Sequence, residues 1–428
     1  MAARASDNGS GTAVSSPYWR DDGSGGVSLD VVGLFAGIGG LELGLGQSGH
    51  SARALIEVDA AAVAVLKTQF PNVRLHDDVR TFRIPDNVGL VSAGFPCTDL
   101  SQAGRTAGIT GAASGLITGV LDQIGRKRRH RRPDWLLIEN VPFLLRLGRG
   151  AGIRFLVDRV SELGYRWAYR VVDTAAFGLP QRRRRVFLVA GLIGDPREVL
   201  FADEAGPRDS EAVSDVPPVG FYWTEGNTGI GWVPGALPTL KGGSGLSIPS
   251  PPAIWLSSRI ATPHITDAER LQGFEAGWTA SAVEAVGSDR PRWKLVGNAV
   301  SVPVAKWLGD RLAHPGPVRT SDLGTLNGGP WPEAAWGNSE GGRTRVHVVG
   351  ASDSPVRMTS PDLLDFLLED PADLSRKATL GFLSRLTRSR LRQRNLSSFT
   401  TALADHALSQ GARRSDLPRG GSNEWEGQ

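Results

Sequence analysis

The sequence predicts an α/β protein: a mostly parallel sheet flanked by helices, a second domain of short strands and loops, and a helical C-terminal tail. Three observations carry that expectation. Apolar runs of strand length alternate with helix-compatible stretches between Val31 and Val189, the pattern of βαβ units. Glycine-rich or polar turns follow the strands, at Phe35–Gly40 (FAGIGG) and at Gly94–Cys97 (GFPC). From Gly191 to about Pro263 the composition changes to Gly, Pro, Ser and Trp without a clear period, which favours loops and short strands.

At 428 residues, 40% of them apolar, the chain is long enough for one large domain and a smaller one. A single cysteine excludes internal disulfides and gives no sign of an oxidising compartment. The N-terminus is polar and lacks the apolar core of a signal peptide, and no apolar run approaches the ~18 residues of a membrane span. The expectation is a soluble, cytoplasmic protein. Net charge is only +4, but the basic residues cluster at Arg126–Arg132 (RKRRHRR) and Arg182–Arg185. Clustered cations suit a nucleic-acid partner, because neutralised phosphates release counterions; the first run fits a solvated face or a localisation signal nearly as well.

Residues 1–27 are rich in Ser, Gly and Asp and are expected to be disordered. A strand from Val31 leads into FAGIGG and then a helix-compatible Leu41–Gly49. Glycines 37, 39 and 40 permit a tight turn and let backbone approach a ligand at a helix N-terminus. The next strand, Arg53–Ile56, ends in Glu57, twenty residues after Gly37, where a carboxylate can accept both hydroxyls of a ribose. Asp77-Asp78 follow the helix Ala60–Phe70 and could hold an adenine amino group. Leu90-Val91 then lead to Cys97, and Trp135–Ile138 to Glu139-Asn140-Val141. Glu139 emerges as a catalytic group at a sheet tip would, or as a cap for the helix after Pro142. Helical Arg154–Leu163, strand Val171-Val172 and strand Val186–Val189 continue the series. Alternation sends Arg183 and Arg185 to one face and Arg182 and Arg184 to the other. Beyond the irregular stretch, Thr266–Phe274 (TDAERLQGF) reads as a short helix with Thr266 and Glu269 forming a capping box, and Gly297–Leu312 as a loop into a helix. Residues 313–350 look like a linker; Leu363–Leu368 and Arg376–Arg394 look like amphipathic helices.

Cys97 stands on a loop at the carboxyl edge of the sheet, where open α/β sheets keep their chemistry. Lone cysteines are commonly buried small hydrophobes. Here Thr98, Asp99, Ser101 and Gln102 follow it, a polar setting that suits a nucleophile as well as a structural thiol.

In this order, FAGIGG, Glu57, Asp78, GFPC, Glu139-Asn140-Val141, QRRRR before a strand, RLQGF and GNAVSVPVA resemble the DNA cytosine-5 methyltransferases, over Val27 to about Leu312. The resemblance implies a Rossmann-like, S-adenosylmethionine-dependent methyltransferase domain over 28–190, completed by 290–312, with a target-recognition domain over 191–289. A linker (313–350) and a helical basic extension (351–428) lie outside it. By match, Phe35, Gly37 and Gly39 would lie against the cofactor, Glu57 on its ribose, Asp78 on its adenine and Pro96 near its methionine moiety. Asn298 would help close the site. Cys97 would be the nucleophile, Glu139 the contact to the cytosine edge, and Arg183 and Arg185 the supports of base and nucleophile. No metal is implied. The partner would be double-stranded DNA, with a cognate restriction endonuclease acting separately and the enzyme a monomer in a bacterial cytoplasm or nucleoid. Two positions depart from the family pattern: Thr98 replaces the usual Gln, and the Arg expected near Ser114-Gly115-Leu116 is absent, so the resemblance does not give the geometry of the closing loop 98–116. A tRNA cytosine-5 methyltransferase and a catalytically silent DNA-binding protein are the alternatives. A nicotinamide-dependent oxidoreductase would share the glycine turn and Glu57 but leaves GFPC and Glu139-Asn140 without a role.

Overall fold

A computed structural model of the chain describes residues 20–21, 26–95, 114–208, 216–225, 229–242, 251–340, 342–389 and 396–418. At its centre is a ten-stranded sheet. Strands β1 (Asp30–Leu34), β2 (Ser51–Ile56), β3 (Arg74–His76), β4 (Leu90–Gly94) and β5 (Trp135–Asn140) run parallel in the order β3-β2-β1-β4-β5. Helices α1 (Gly40–Gln47), α2 (Ala60–Gln69) and α3 (Ser114–Gly125) lie between them in the chain. Val31, Val32 and Leu34 of β1 and Trp135–Ile138 of β5 are all 4% exposed or less. These strands read as continuous apolar runs because both sheet faces are covered. The chain steps outward from β1 to β3 and then returns to β4 on the other side of β1, so the crevice above β1 and β4 is a switch point, where such sheets bind ligands.

The other half of the sheet is antiparallel, which the expectation of a mostly parallel sheet did not include. After helix α4 (Ala151–Glu162), β6 (Arg166–Asp173) is joined to β7 (Arg184–Gly191) by a 3-10 turn at Thr174–Ala176 and a short strand, Gln181–Arg182, that pairs with Leu237–Pro238, and β7 inserts between β6 and β5. A second sheet follows, with β8 (Val219–Phe221), β9 (Val233–Pro234), β10 (Ala253–Trp255) and β11 (Ile260–Thr262) in the order β9-β8-β10-β11. Helix α5 (Ile265–Leu271) then leaves that sheet. Phe274 and Trp278 beyond it join Ile38, Ala61 and Val65 of the first domain and Leu237, Leu240 and Ile254 of the second region in one apolar cluster, so residues 265–286 pack between the two. The capping box expected at Thr266 and Glu269 is absent. The cap is His264, whose ring accepts from the Thr266 amide. Glu269 is buried instead, accepting from the Gly277 and Thr279 amides at 2.6 and 2.9 Å and pairing with Arg292 at 3.0 Å. Helices α6 (Arg290–Asn298) and α7 (Val302–Ala313) complete the first domain. α7 lies so close along α1 that a Cβ at Gly44 would collide with Ala305.

Residues 313–350, expected as a linker, hold three strands of the central sheet: β12 (Ser321–Thr325), β13 (Ala334–Glu340) and β14 (Arg343–Gly350). They extend it past β6 in the order β6-β13-β14-β12, all antiparallel. Composition misled because the glycines and tryptophans pack together. A Cβ at Gly337 would strike the Trp167 ring and the Arg345 carbonyl, and the Trp331 ring stands 6.2 Å from that of Tyr169.

The tail belongs to the second sheet. Strand β15 (Ala372–Asp373) pairs with β11, and helices α8 (Arg376–Arg388) and α9 (Ser397–Ser409) bury Phe382, Leu383, Phe399 and Leu403 against Phe221 and Trp255. A sheet of such short strands needs a cover for its apolar face. Of residues 1–27, Arg20–Asp21 pair with Val27–Ser28, and 1–19 and 22–25 lie outside the described residues. Among the described residues no helix is long and apolar enough to cross a membrane.

Candidate active site

β1 ends in a turn that only an unusual backbone can make. Phe35 and the glycines at 37 and 39 all have positive φ, at 55°, 57° and 83°. At Gly37 no atom lies within 4 Å of where a Cβ would stand, so the turn is open above that residue. Gly39 forms the N-cap of α1, and the helix amides and dipole favour electron-rich groups there. Glu57, at the tip of β2, accepts the Gly37 amide on Oε2 at 2.8 Å, and the Val58 and Asp59 amides on Oε1, each at 2.8 Å. Oε1 thus accepts two amides, while Oε2 accepts one and keeps lone-pair capacity for a further donor. Next to it the apolar side chain of Val58 is 77% exposed. An open glycine turn, a carboxylate at a strand tip and an apolar ledge suit the ribose and ring of a nucleoside, so these residues fit S-adenosylmethionine. Asp78 stands beyond β3, and its carboxylate is held by Arg80 through Nε and Nη2 at 2.7 to 2.9 Å. That guanidinium lowers the Asp78 pKa. Asn298 ends α6 and is exposed, with its Oδ1 beside Gly242. Two residues on, Val300 turns its carbonyl onto Gly40 at the start of α1.

The second half of the site stands at the end of β5. Glu139 is buried and its Oε1 meets Arg185 Nε at 3.1 Å. It lies in register with Gly94 of β4, three residues before Cys97, and a Cβ on Gly94 would be 3.6 Å from Glu139 Oε2. Burial raises the Glu139 pKa, and Arg185 and Arg183 oppose that shift. The carboxyl therefore does not act as a helix cap: the following 3-10 turn has Val141 as its cap, with no side-chain bond. Alternation separates the arginines. Arg182 pairs with Asp173, and Arg184 with Glu333 and Asp353, while Arg183 and Arg185 turn toward Glu139. Arg183 does not reach the open part of the site. It is 1% exposed and donates to the carbonyls of Leu240 and Gly297 at 3.1 Å and of Ala299 at 2.6 Å.

Cys97 and Pro96 lie outside the described residues, as does the closing loop up to residue 113. The strand that delivers them is described as far as Phe95, whose carbonyl accepts from Asn140 Nδ2 at 3.3 Å. Sequence reasoning passed over Glu42 and Gln181. Gln181 is buried and joins the Leu240 amide to the Leu271 carbonyl, at 3.2 and 2.7 Å. Glu42 is buried under the glycine turn and accepts from Ser92 Oγ at 2.9 Å. Its signal was available: it is the only charge in an otherwise small and apolar helix.

The profile of the C-5 cytosine-specific DNA methylases matches residues 29–206. The chain is 45% identical over 369 residues to the Type II methyltransferase M2.BsuMI of Bacillus subtilis (strain 168), covering 84% of this chain and 94% of that protein. This chain belongs to the C-5 cytosine-specific DNA methylases. As a member of that family it is a DNA (cytosine-5-)-methyltransferase, with S-adenosylmethionine as the methyl donor. Type II methyltransferase M.NlaX of Neisseria lactamica is 28% identical over 313 residues, covering 66% of this chain and 95% of that one. The Dnmt2 methyltransferase of S. pombe superposes with a TM-score of 0.50 at 16% identity, covering 66% of this chain and 98% of that one, so this methylase shares its fold. The longer match to M2.BsuMI covers more of the chain than residues 1–313 contain, so it runs into the residues after α7.

Proposed function

We propose that this methylase modifies carbon 5 of a flipped-out cytosine in a specific duplex sequence, through a covalent bond between Cys97 and carbon 6, as the modification enzyme of a restriction–modification system. The observation that carries the reading is the Glu139–Arg185 pair, 3.1 Å apart, at the tip of the strand beside the one that leads to Cys97. Carbon 5 of cytosine is a poor nucleophile. Addition of the Cys97 thiolate to carbon 6 makes carbon 5 enamine-like. Negative charge driven into the ring collects at N3, where Glu139, biased by burial toward its protonated form, donates a proton or hydrogen bond. S-adenosylmethionine, held over the glycine turn by Glu57 with Asp78, Pro96 and Asn298 at its edges, supplies an electrophilic methyl group when bound. Loss of the carbon 5 proton then expels Cys97 as thiolate and restores the aromatic ring. A paired base is out of reach of Cys97, so the cytosine leaves the stack at a cost of a few kcal/mol, offset by pocket contacts. Arg185 holds Glu139, and Arg183 holds the backbone around them.

The second sheet, its covering helices and the loops facing the sheet tips form the target-recognition domain in this reading. The enzyme acts as a monomer, and the partner endonuclease is a separate chain. The Type II designation of M2.BsuMI supports the restriction–modification assignment.

The test is whole-genome bisulfite sequencing of a methylation-free bacterial host expressing the chain, beside Cys97→Ala and Glu139→Gln. Protected cytosines at one short recurring sequence are expected, absent in Cys97→Ala and reduced by about 100-fold or more in rate in Glu139→Gln. Protection that persists in Cys97→Ala removes the nucleophile, and an unchanged Glu139→Gln rate removes the proton donor.

A further inference from the structure

A groove of about 900 Å³ opens at the same edge of the sheet as the active site, and nothing in the proposed reaction uses it. One wall is the segment after β5, with Pro142, Phe143, Arg146 and Arg149; the other is the loop before β13, with Trp331 and Glu333. Its floor holds Arg184, the residue before the one that grips Glu139. The walls are fixed to each other: the Trp331 indole occupies the space where a Cβ of Gly150 would stand, and the Arg154 guanidinium lies 4.8 Å from the indole centre.

The chemistry of the lining is specific. Arg146 and Arg149 are exposed, and among the described residues no carboxylate lies within ion-pair distance of either. Arg184 is already neutralised by Glu333 and Asp353, so the two free cations are those at the rim. Phe143, between them and the catalytic strand, is 54% exposed. Arg149 stands in the left-handed region at φ 58° and ψ 36°, flanked by Gly148 and Gly150 with φ of 56° and 91°. A non-glycine residue held there costs of order 1 kcal/mol or more, and a solvated arginine gains nothing from it. Two unpaired guanidinium groups beside an exposed aromatic ring match a nucleic-acid strand, with phosphates on the cations and a base or sugar on the ring.

We propose that this groove takes the DNA strand just outside the recognised sequence, with Arg146 and Arg149 on its phosphates and Phe143 against a nucleotide there. The inference rests on the DNA-methylation reading. Phosphate contacts of this kind raise affinity for any sequence and position the duplex; they do not read bases.

The experiment measures duplex binding against salt concentration for wild type, for Arg146→Ala/Arg149→Gly, and for Arg146→Lys/Arg149→Lys. Glycine at 149 suits the positive φ, so the first variant removes charge without backbone strain. The slope of log K against log salt is expected to become shallower by about 1 for each arginine lost, so about 2 for the pair. KM for DNA should rise, with kcat at saturating DNA and cofactor affinity unchanged. The lysine pair should keep the wild-type slope. On a duplex trimmed to the recognised sequence the loss should vanish. An unchanged slope in the charge-removed variant overturns the proposal. So does an equal loss in the lysine pair, which would indicate packing, or an equal loss on the trimmed duplex, which would put the arginines on the recognised sequence. A wild type that binds duplex but methylates none would sink the methylation reading while leaving the slopes as the measure of the groove.

Discussion

Glu42 sets burial against charge inside α1. Its carboxyl lies between the helix and strands β1 and β4, where Gly33 leaves room for it: a Cβ at that position would collide with Oε1. Ser92 donates to Oε1, and Oε2 is buried with no hydrogen-bond partner. Burial raises its pKa from 4.5 to about 7, with Ser92 opposing. The folded protein therefore keeps a proton that the unfolded chain releases above about pH 4.5. Stability from this group is complete below that pH and is lost as pH rises toward about 7, by about 3 kcal/mol in all. Glu42→Gln should abolish that slope, making the variant the more stable of the two at pH 8; urea unfolding of both proteins from pH 4.5 to 8 measures it. Equal pH dependence would mean the carboxyl is solvated. At this scale much of the site was legible. Glu57 and Glu139 end apolar strands, and a charge in that position has few structural uses. Alternation puts Arg183 and Arg185 on one face, and the family resemblance, not the alternation, turns that face toward the site. Their partners were not legible, because the Leu240 and Ala299 carbonyls that hold Arg183 come from residues 57 and 116 positions away.

Among the elements, the tail departs most from its sequence reading. Helix α8 lies within the stretch Arg376–Arg394 read as amphipathic, whereas α9 was not read from the sequence, and an apolar stripe does not say what it packs against. Their ring contacts give the answer: Phe382 lies 5.3 Å from Phe221, and Phe399 lies 4.9 Å from both Phe221 and Trp232. On the solvent side Arg385 donates to the Trp223 and Glu225 carbonyls at 2.7 and 3.2 Å, tying α8 to the turn after β8. The strands of 313–350 were missed for a related reason. Their alternation is short and interrupted by glycine, and edge strands draw their stability from a neighbour that the local sequence does not contain. Phe382→Ala removes a fully buried ring and should destabilise the second sheet by about 3 to 5 kcal/mol. Cofactor binding by the first domain should persist while sequence-specific DNA binding is lost, as calorimetry with S-adenosylmethionine and gel shift with the methylated sequence would measure. Loss of both together would mean the two sheets unfold as one unit.

Across the whole molecule, Arg183 is where distant parts of the chain converge. It enters from the start of β7, holds Leu240 from the recognition side, and holds Gly297 and Ala299 from the α6–α7 turn, all while 1% exposed. Gln181 repeats the connection through Leu240 and Leu271. The α6–α7 turn in turn rests on the first turn of α1 through Val300, and Lys294 of α6 pairs with Asp59 at 2.9 Å, at the cap of α2. A displacement at Leu240 is therefore felt, through Arg183 and Gln181, at the α6–α7 turn and at the end of α5. Lysine keeps the charge but cannot span three carbonyls in a plane. Arg183→Lys should lower the unfolding free energy by about 3 kcal/mol, the scale of losing charged hydrogen bonds in a buried site. It should also weaken cofactor and DNA binding together, while Arg185→Lys, which contacts Glu139 alone among the catalytic groups, should lower kcat with little change in cofactor affinity. Titration calorimetry and single-turnover kinetics on the two variants separate these outcomes. If Arg183→Lys lowers kcat alone, the arginine acts on the reacting base, and the coupling between the two sheets runs through Gln181.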